Sequence, residues 1–366
     1  MLEPSRLALA RHQRGLNKTS LSRGAGIPLR SLTEYEAGRM VPSDEALQQI
    51  AVALGFPVAF FHKEEVNIPN PQAVSFRSLS RMTASTRHRA IASGVLGVEL
   101  AQWIDSRFNL PVPDLPDLRE TDPETSADNL RTMWGLGRRP IRNVVHLLES
   151  KGVRVFSLAQ GDYTVDAFSM WTNEQPYVFL NTTKSAERSR FDACHELLHL
   201  VAHRHAQPNG KEAESEADAF ASAFLMPRDD IIARAPRRPT LSHLMELKSR
   251  WGVSLVALIY RLHKTGMISE WNYRQLMKSA SKRGYRTDEP NSRPRERSQI
   301  LDKVLASLRK QKITSRHIAA DLNIQHHDLT DLLFGLTNHL LPIDGERSGS
   351  SLKNPDGLRK QLKLIT

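Results

Sequence analysis

The motif RFDACHELLHL at residues 190–200 is the most informative segment of this sequence. It lies in a predicted helix over residues 186–203, in which His195 and His199 are four positions apart. Residues at this spacing stand one turn apart on one helix face, so both imidazoles can share a metal ion. Glu196 can act as general base toward a water that the metal activates. The pattern predicts a zinc peptidase site; the alternative is an ordinary buried helix whose His and Glu are satisfied within the protein.

An open zinc site takes three protein ligands, and the sequence offers two routes to the third. The favoured ligand is Glu214, on a helix predicted over residues 212–225. The other route is His205, six residues past His199, but that geometry needs a glycine at position 202, which is Ala202 here. The sequence therefore favours a site of two histidines and one glutamate.

The helix that carries Glu214 has further acidic residues. Asp218 lies one turn later, where it can accept a hydrogen bond from the free N–H of a ligating histidine. Glu212 and Glu216 are secondary candidates for the third ligand, or else part of a solvated acidic face. Cys194, the only cysteine, adjoins the first ligand, but adjacent helix residues point about 100° apart. It is therefore interpreted as a small buried packing residue.

The chain around these helices predicts an α+β, mostly helical fold. Segments rich in β-branched and aromatic residues, at 153–157, 166–171 and 177–181, predict a small three-stranded sheet. Several helices surround it, and the motif with His195, Glu196 and His199 adds the expectation of a zincin-like metallopeptidase domain. Four or five short helices precede it, and a helical C-terminal domain follows.

Two sequence blocks make a resemblance to a known family specific. Residues 190–200 are similar to the RxRFxxAHELGH block of the ImmA/IrrE family of zinc metallopeptidases, and residues 214–227, ESEADAFASAFLMP, to its ExEANxFAxxLLMP block. The resemblance covers about residues 125–265. The sequence departs from these blocks at Cys194, Leu198 and Asp218. None of the departures removes a proposed ligand.

This resemblance implies site residues and a substrate class. It carries the zinc-ligand roles over to His195, His199 and Glu214, and the general-base role to Glu196. It implies a protein substrate, typically a DNA-bound repressor that is cleaved at one site.

The N-terminal region predicts short helices with a tight turn between the second and third, which describes a helix-turn-helix unit. LSRGAGI at residues 21–27 and LTEYEAG at residues 32–38 resemble the Cro/repressor-type (XRE) helix-turn-helix family. The recognition helix is expected over residues 29–37. An alternative is that the same fold serves protein contacts only.

Five residues of this unit are expected to contact double-stranded operator DNA. The residues expected to face the base edges in the major groove are Arg30, Ser31, Thr33 and Glu34. Arg30 is the best guanine reader, because its guanidinium matches the O6 and N7 acceptors. Lys18, at the start of the second helix, is placed to contact a phosphate.

Composition favours an intracellular, nucleic-acid-binding protein. The 51 Lys and Arg against 40 Asp and Glu give a net charge of +11, which suits a polyanion, nucleic acid first and an anionic membrane surface second. A single cysteine excludes internal disulfides and favours a reducing compartment. The longest apolar stretch, residues 52–61, is about half the length that spans a bilayer, and no signal peptide is evident. We expect a cytoplasmic protein with no membrane partner.

Charge runs and proline-rich stretches suggest the division of the chain. The expected parts are 1–62, the helix-turn-helix domain; 63–124, a connector with a helix; 125–282, the zinc metallopeptidase domain; 283–298, a linker; 299–340, a helical domain that weakly resembles a helix-turn-helix; and 341–366, a basic tail.

The sequence thus predicts a DNA-binding transcriptional regulator fused to a zinc-dependent endopeptidase that cleaves a repressor-type protein, either a partner or the chain itself. A homodimer that matches two half-sites is possible for such a unit. The alternative is a non-proteolytic transcription factor or antitoxin-like regulator whose zinc domain is sensory or structural.

Overall fold

The structure is a computed structural model that describes residues 1–69, 74–76, 82–119, 121–158, 165–204 and 210–337. Within them the fold is mostly helical with one small sheet, which confirms the predicted α+β class. None of the helices in these ranges combines the length and apolar character needed to span a bilayer. The predicted basic tail, residues 341–366, and the alternative ligand His205 lie outside the described residues.

The N-terminal helices are α1 (Pro4–Gln13), α2 (Lys18–Ala25), α3 (Leu29–Glu36) and α4 (Asp44–Leu54), followed by a short 3₁₀ helix, Val58–His62. Asn17 caps α2 by accepting a hydrogen bond from the Ser20 amide at 2.8 Å. Gly26 ends α2 with a φ of 68°, a left-handed conformation that favours glycine and permits the tight turn before α3.

Helix α5 (Ala84–Asp105) connects the N-terminal helices to the sheet. It begins at Ala84, because Thr83 caps it by accepting a hydrogen bond from the Thr86 amide. Because the first turn of α5 is rich in polar residues, its sequence is typical of a connector. Gly97 lets α5 approach the sheet closely: a Cβ there would lie 2.6 Å from Cε1 of Phe179.

The sheet contains β1 (Ser75–Phe76), β2 (Arg154–Ser157), β3 (Ala167–Thr172) and β4 (Gln175–Leu180), in the order β1-β3-β4-β2. The three predicted strands are β2, β3 and β4. Strand β2 runs parallel to β4, whereas β3 is antiparallel to β4 and to β1. The edge strand β1 is additional, because a pair of residues leaves no periodic pattern in the sequence.

The helices of the central region are α6 (Pro123–Met133), α7 (Val144–Ser150), α8 (Ala186–Ala202), α9 (Lys211–Leu225), α10 (Arg228–Arg234), α11 (Leu241–Trp251), α12 (Leu255–Lys264) and α13 (Glu270–Lys282). Helix α8 lies against β3 and β4 on one side and against α9 on another. Its residues are buried along nearly the whole length. The sheet and α9 therefore hold α8 in a fixed position.

The C-terminal helices are α14 (Gln299–Lys310), α15 (Ser315–Leu322) and α16 (His326–Leu333). The segment 283–298 is irregular, as a linker would be, yet Glu296 and Ser298 are buried. Glu296 forms an ion pair with the fully buried Arg190 and accepts a hydrogen bond from the Val144 amide at 2.7 Å. The many charged residues of segment 283–298 suggested that it is exposed to solvent, but ion pairs with buried residues neutralise some of these charges.

Candidate metal centre and DNA-binding surface

Helices α8 and α9 bring three potential metal ligands together. His195 and His199 are almost completely buried, and their Nε2 atoms are 3.2 Å apart. Oε2 of Glu214 lies 3.5 Å from Nε2 of His195, and Oε1 lies 3.6 Å from Nε2 of His199. Within the described ranges, the ligand atoms of this group all lie within 4.8 Å of one another.

The donor set and its spacing are compatible with zinc. Imidazole nitrogens and a carboxylate are typical zinc ligands, and a tetrahedral ion with bonds of about 2.0–2.2 Å keeps its ligand atoms roughly 3.3–3.6 Å apart. The observed separations of 3.2, 3.5 and 3.6 Å are close to that range. Oε1 of Glu214 is buried and has no hydrogen-bond partner in the described part of the chain. A cation would satisfy it.

The ionisation of Glu214 also suits a ligand role. Burial alone would raise the pKa of this carboxyl, but the nearby rings of His195 and His199, at 3.5 and 3.6 Å, outweigh it and lower the pKa to about 2. Glu214 is therefore a carboxylate at neutral pH.

The predicted general base, Glu196, follows His195 on α8 and is fully buried. Ser169 on β3 donates a hydrogen bond from Oγ to Oε2 of Glu196 at 2.7 Å. The strand thereby orients the carboxylate. Ser169 could not be identified from sequence, because it is 27 residues from Glu196 and resembles any other strand serine.

Contacts behind the ligands involve the second nitrogen of each histidine ring. Nδ1 of His195 lies 3.0 Å from Oδ1 of Asp218, the residue expected to hold a ligating histidine. Nδ1 of His199 lies 2.9 Å from Nδ1 of His203, which the sequence analysis did not select. His203 lies four residues after His199, and this spacing could have indicated that the two rings are close on the same helix face. Both contacts leave Nε2 directed at the cluster.

The remaining acidic candidates and the cysteine lie apart from the ligand atoms. Glu212 is exposed at the start of α9. Glu216 contacts His203, with Oε2 and Nε2 3.2 Å apart. Cys194 is fully buried, and burial raises the pKa of its thiol to about 12. The thiol therefore stays protonated, as expected for a packing residue.

The predicted DNA-contacting residues occupy α3 and the start of α2. Arg30 is exposed, whereas Ser31, Thr33 and Glu34 are half-buried. Thr33 donates to the Leu29 carbonyl at 2.8 Å. Glu34 forms an intramolecular ion pair with Arg39.

Lys18, the predicted phosphate contact, also has a partner within the protein. Its Nζ lies 3.2 Å from Oε2 of Glu36, which Arg11 binds as well. The side chain remains partly exposed. A DNA phosphate would have to share or replace Glu36.

These two parts of the molecule define a class: a helix-turn-helix unit joined to an α+β domain with a His–His–Glu cluster. The comparison with protein families agrees with this assignment. Residues 7–61 match the helix-turn-helix family HTH_3, and residues 148–263 match the family Peptidase_M78, described as the IrrE N-terminal-like domain. Both expected resemblances are confirmed. No curated protein matches the chain.

Proposed function

We propose that this chain is a transcriptional regulator that binds operator DNA and carries a zinc-dependent endopeptidase acting on a repressor-type protein. The principal support is the cluster of His195, His199 and Glu214, together with the buried Glu196 that follows His195 on the same helix. Zinc peptidases combine three such ligands with one adjacent carboxylate. The match of residues 148–263 to a peptidase family points the same way.

In this proposal the two histidines and Glu214 hold zinc. When bound, zinc supplies a Lewis acid that polarises the scissile carbonyl and makes water acidic enough to attack near neutral pH. Glu196 takes the proton from the attacking water and passes it to the leaving amine nitrogen. Ser169 restrains Oε2 of Glu196, so that the carboxylate keeps the orientation this transfer requires.

The DNA-binding half would select where the peptidase acts. The helix-turn-helix match and the exposed Arg30 on α3 support docking in the major groove. Binding to an operator raises the concentration of the peptidase near other proteins on the same DNA. We therefore infer that the substrate is a DNA-bound regulator, either a partner protein or a second copy of this chain, and that the chain binds paired half-sites as a dimer.

Glu196→Gln tests the peptidase proposal, because it removes the base and leaves all three ligands. The purified wild-type protein, loaded with zinc and bound to operator DNA, is incubated with candidate repressors and alone, and fragments are identified by mass spectrometry. We expect one defined cleavage in the wild type, slowed about 10²–10⁴-fold in the variant. Glu212→Gln, an exposed change on α9, is the matched control and should cleave normally.

A different result would favour the non-proteolytic alternative. If Glu196→Gln binds zinc and regulates the operator in cells as the wild type does, the zinc domain is sensory or structural.

A further inference from the structure

A third histidine extends the metal cluster away from the ligands. His203 follows the last turn of α8, and its ring centroid is 5.1 Å from that of His199. Its two nitrogens have different neighbours: Nδ1 lies 2.9 Å from Nδ1 of His199, and Nε2 lies 3.2 Å from Oε2 of Glu216 on α9. Both separations are hydrogen-bond distances. The three side chains form a continuous line from the cluster towards the surface.

The hydrogen bonds of this line determine which nitrogen carries each proton. A histidine that binds a metal through Nε2 must be neutral and must carry its proton on Nδ1. His199 therefore donates from Nδ1, and Nδ1 of His203 must accept. The proton of His203 is then on Nε2, from which it donates to the Glu216 carboxylate. With a cation on Nε2 of His199 and His203 neutral, this arrangement of protons satisfies both contacts of His203.

We propose that His203 and Glu216 are positioning residues that fix the tautomer and ring orientation of His199 for zinc binding. Asp218, which contacts His195 directly, would fix the tautomer and orientation of that ring in the same way. The inference rests on the proposed zinc site. It assigns to Glu216 a role behind the metal cluster instead of the ligand role that sequence alone left open.

The exposure of these side chains agrees with such a role. The side chain of His203 is 13% exposed, which limits competition from water for its hydrogen bonds. Glu216 is 43% exposed, so the negative charge at the outer end stays solvated. Residues behind a metal ligand typically change metal affinity 10–100-fold when they are removed.

The test is the zinc dissociation constant of the full chain, measured by competition with a chromophoric chelator. We expect His203→Ala to weaken binding about 10–100-fold. His203→Asn places an amide oxygen near the former Nδ1 position, so it can still accept from His199, and we expect it to recover part of the loss. Glu216→Gln keeps an acceptor and should have a smaller effect. Glu212→Gln is the control on the same helix.

A second measurement separates positioning from a merely structural role. Thermal unfolding of the metal-free variants should match that of the metal-free wild type, because the proposed role concerns the metal. Wild-type affinity in all His203 and Glu216 variants would overturn the proposal. So would a loss in His203→Ala that accompanies metal-free instability and is not recovered by His203→Asn. A wild type that binds no zinc would instead refute the proposed metal site itself.

Discussion

Arg30 is exposed on α3, and the nearby acidic residue Glu34 forms its ion pair with Arg39. Its guanidinium is thus available for a base edge. We predict that Arg30→Ala weakens operator binding by about 1–3 kcal/mol and relaxes the preference at one base position. Fluorescence anisotropy with operator and scrambled duplexes at one fixed salt concentration measures both effects.

Arg23→Ala is the matched control for Arg30, since it removes the same charge from an exposed position at the end of α2. We expect it to weaken binding to both duplexes alike, because loss of charge acts through the phosphates. Equal losses on the two duplexes for Arg30→Ala would refute base reading by this residue.

Local spacing explains which site residues the sequence could predict. His195, His199 and Glu196 share one helix, so their relation follows from helix geometry alone. The third ligand had to be chosen among several acidic residues, and the family resemblance favoured Glu214. Ser169 was not predictable, because it reaches Glu196 from a different element. The role of a histidine such as His203 depends on which nitrogen it presents, which only the folded structure gives.

At the level of secondary-structure elements, Gly152 has a backbone conformation that any other residue would adopt only with strain. It lies between α7 and β2 with a φ of +80°, and a Cβ there would be 2.3 Å from the carbonyl oxygen of Val112. We predict that Gly152→Ala lowers the free energy of unfolding by roughly 2–5 kcal/mol, since both the backbone conformation and the contact are unfavourable. Urea denaturation measures this. Gly24→Ala, where a Cβ has open space, should be neutral or stabilising, and similar losses in both would contradict the explanation.

Glu149 joins α7 to α14 and makes this contact sensitive to pH. It accepts from the amides of Gln299 and Ile300 at 3.0 and 3.2 Å. Burial nevertheless outweighs these bonds and the one from Ser298, and raises the pKa of Glu149 from 4.5 to about 7. A raised pKa means that the folded state holds the proton more tightly. Its contribution to stability is fully present below about pH 4.5 and is lost as the pH rises through about 7.

We predict that Glu149→Gln removes this pH dependence. Between pH 4.5 and 8 the wild type should lose about 3 kcal/mol more stability than the variant does. Urea denaturation across that range is the measurement, with Glu212→Gln as an exposed control. Parallel profiles for wild type and Glu149→Gln would show that Glu149 does not titrate in this way.

Elements with strong periodicity were predictable, and short or irregular ones were not. Strands β2, β3 and β4 and helices α8 and α9 follow clear apolar patterns. Strand β1 is too short for a pattern. The segment 283–298 was expected to be a linker because it is charged, whereas the pairing of Glu296 with Arg190 depends on a partner 106 residues away.

At the scale of the whole molecule, the N-terminal helices are joined to the C-terminal helices by specific polar contacts. Arg14, after α1, binds both carboxylate oxygens of Asp328 on α16, at 2.6 and 2.9 Å. Lys63 donates to the Leu322 carbonyl at 3.2 Å. These partners are separated by 314 and 259 residues, which is why the sequence did not indicate the contact.

Breaking this contact should destabilise the protein. The Asp328 side chain is 1% exposed, so Arg14→Ala leaves a buried carboxylate without its main partner. We predict a loss of about 3 kcal/mol in the free energy of unfolding, part of which Asp328→Asn restores when added to Arg14→Ala. Arg39→Ala, which breaks the surface pair with Glu34, should cost much less, because water screens that pair. Equal effects of the two arginine variants would argue against a structural role for the Arg14 contact.

If α8 and α9 together form a zinc site, the purified chain should contain zinc, and zinc content per chain is the first measurement to make. Plasma mass spectrometry is applied to the wild type, His195→Ala, Glu214→Ala and the control Glu212→Gln, all purified in parallel. The account predicts about one zinc per chain in the wild type and the control, and little in the two ligand variants. A wild type that contains no zinc even after zinc is supplied, or a Glu214→Ala variant that retains it fully, would contradict the account.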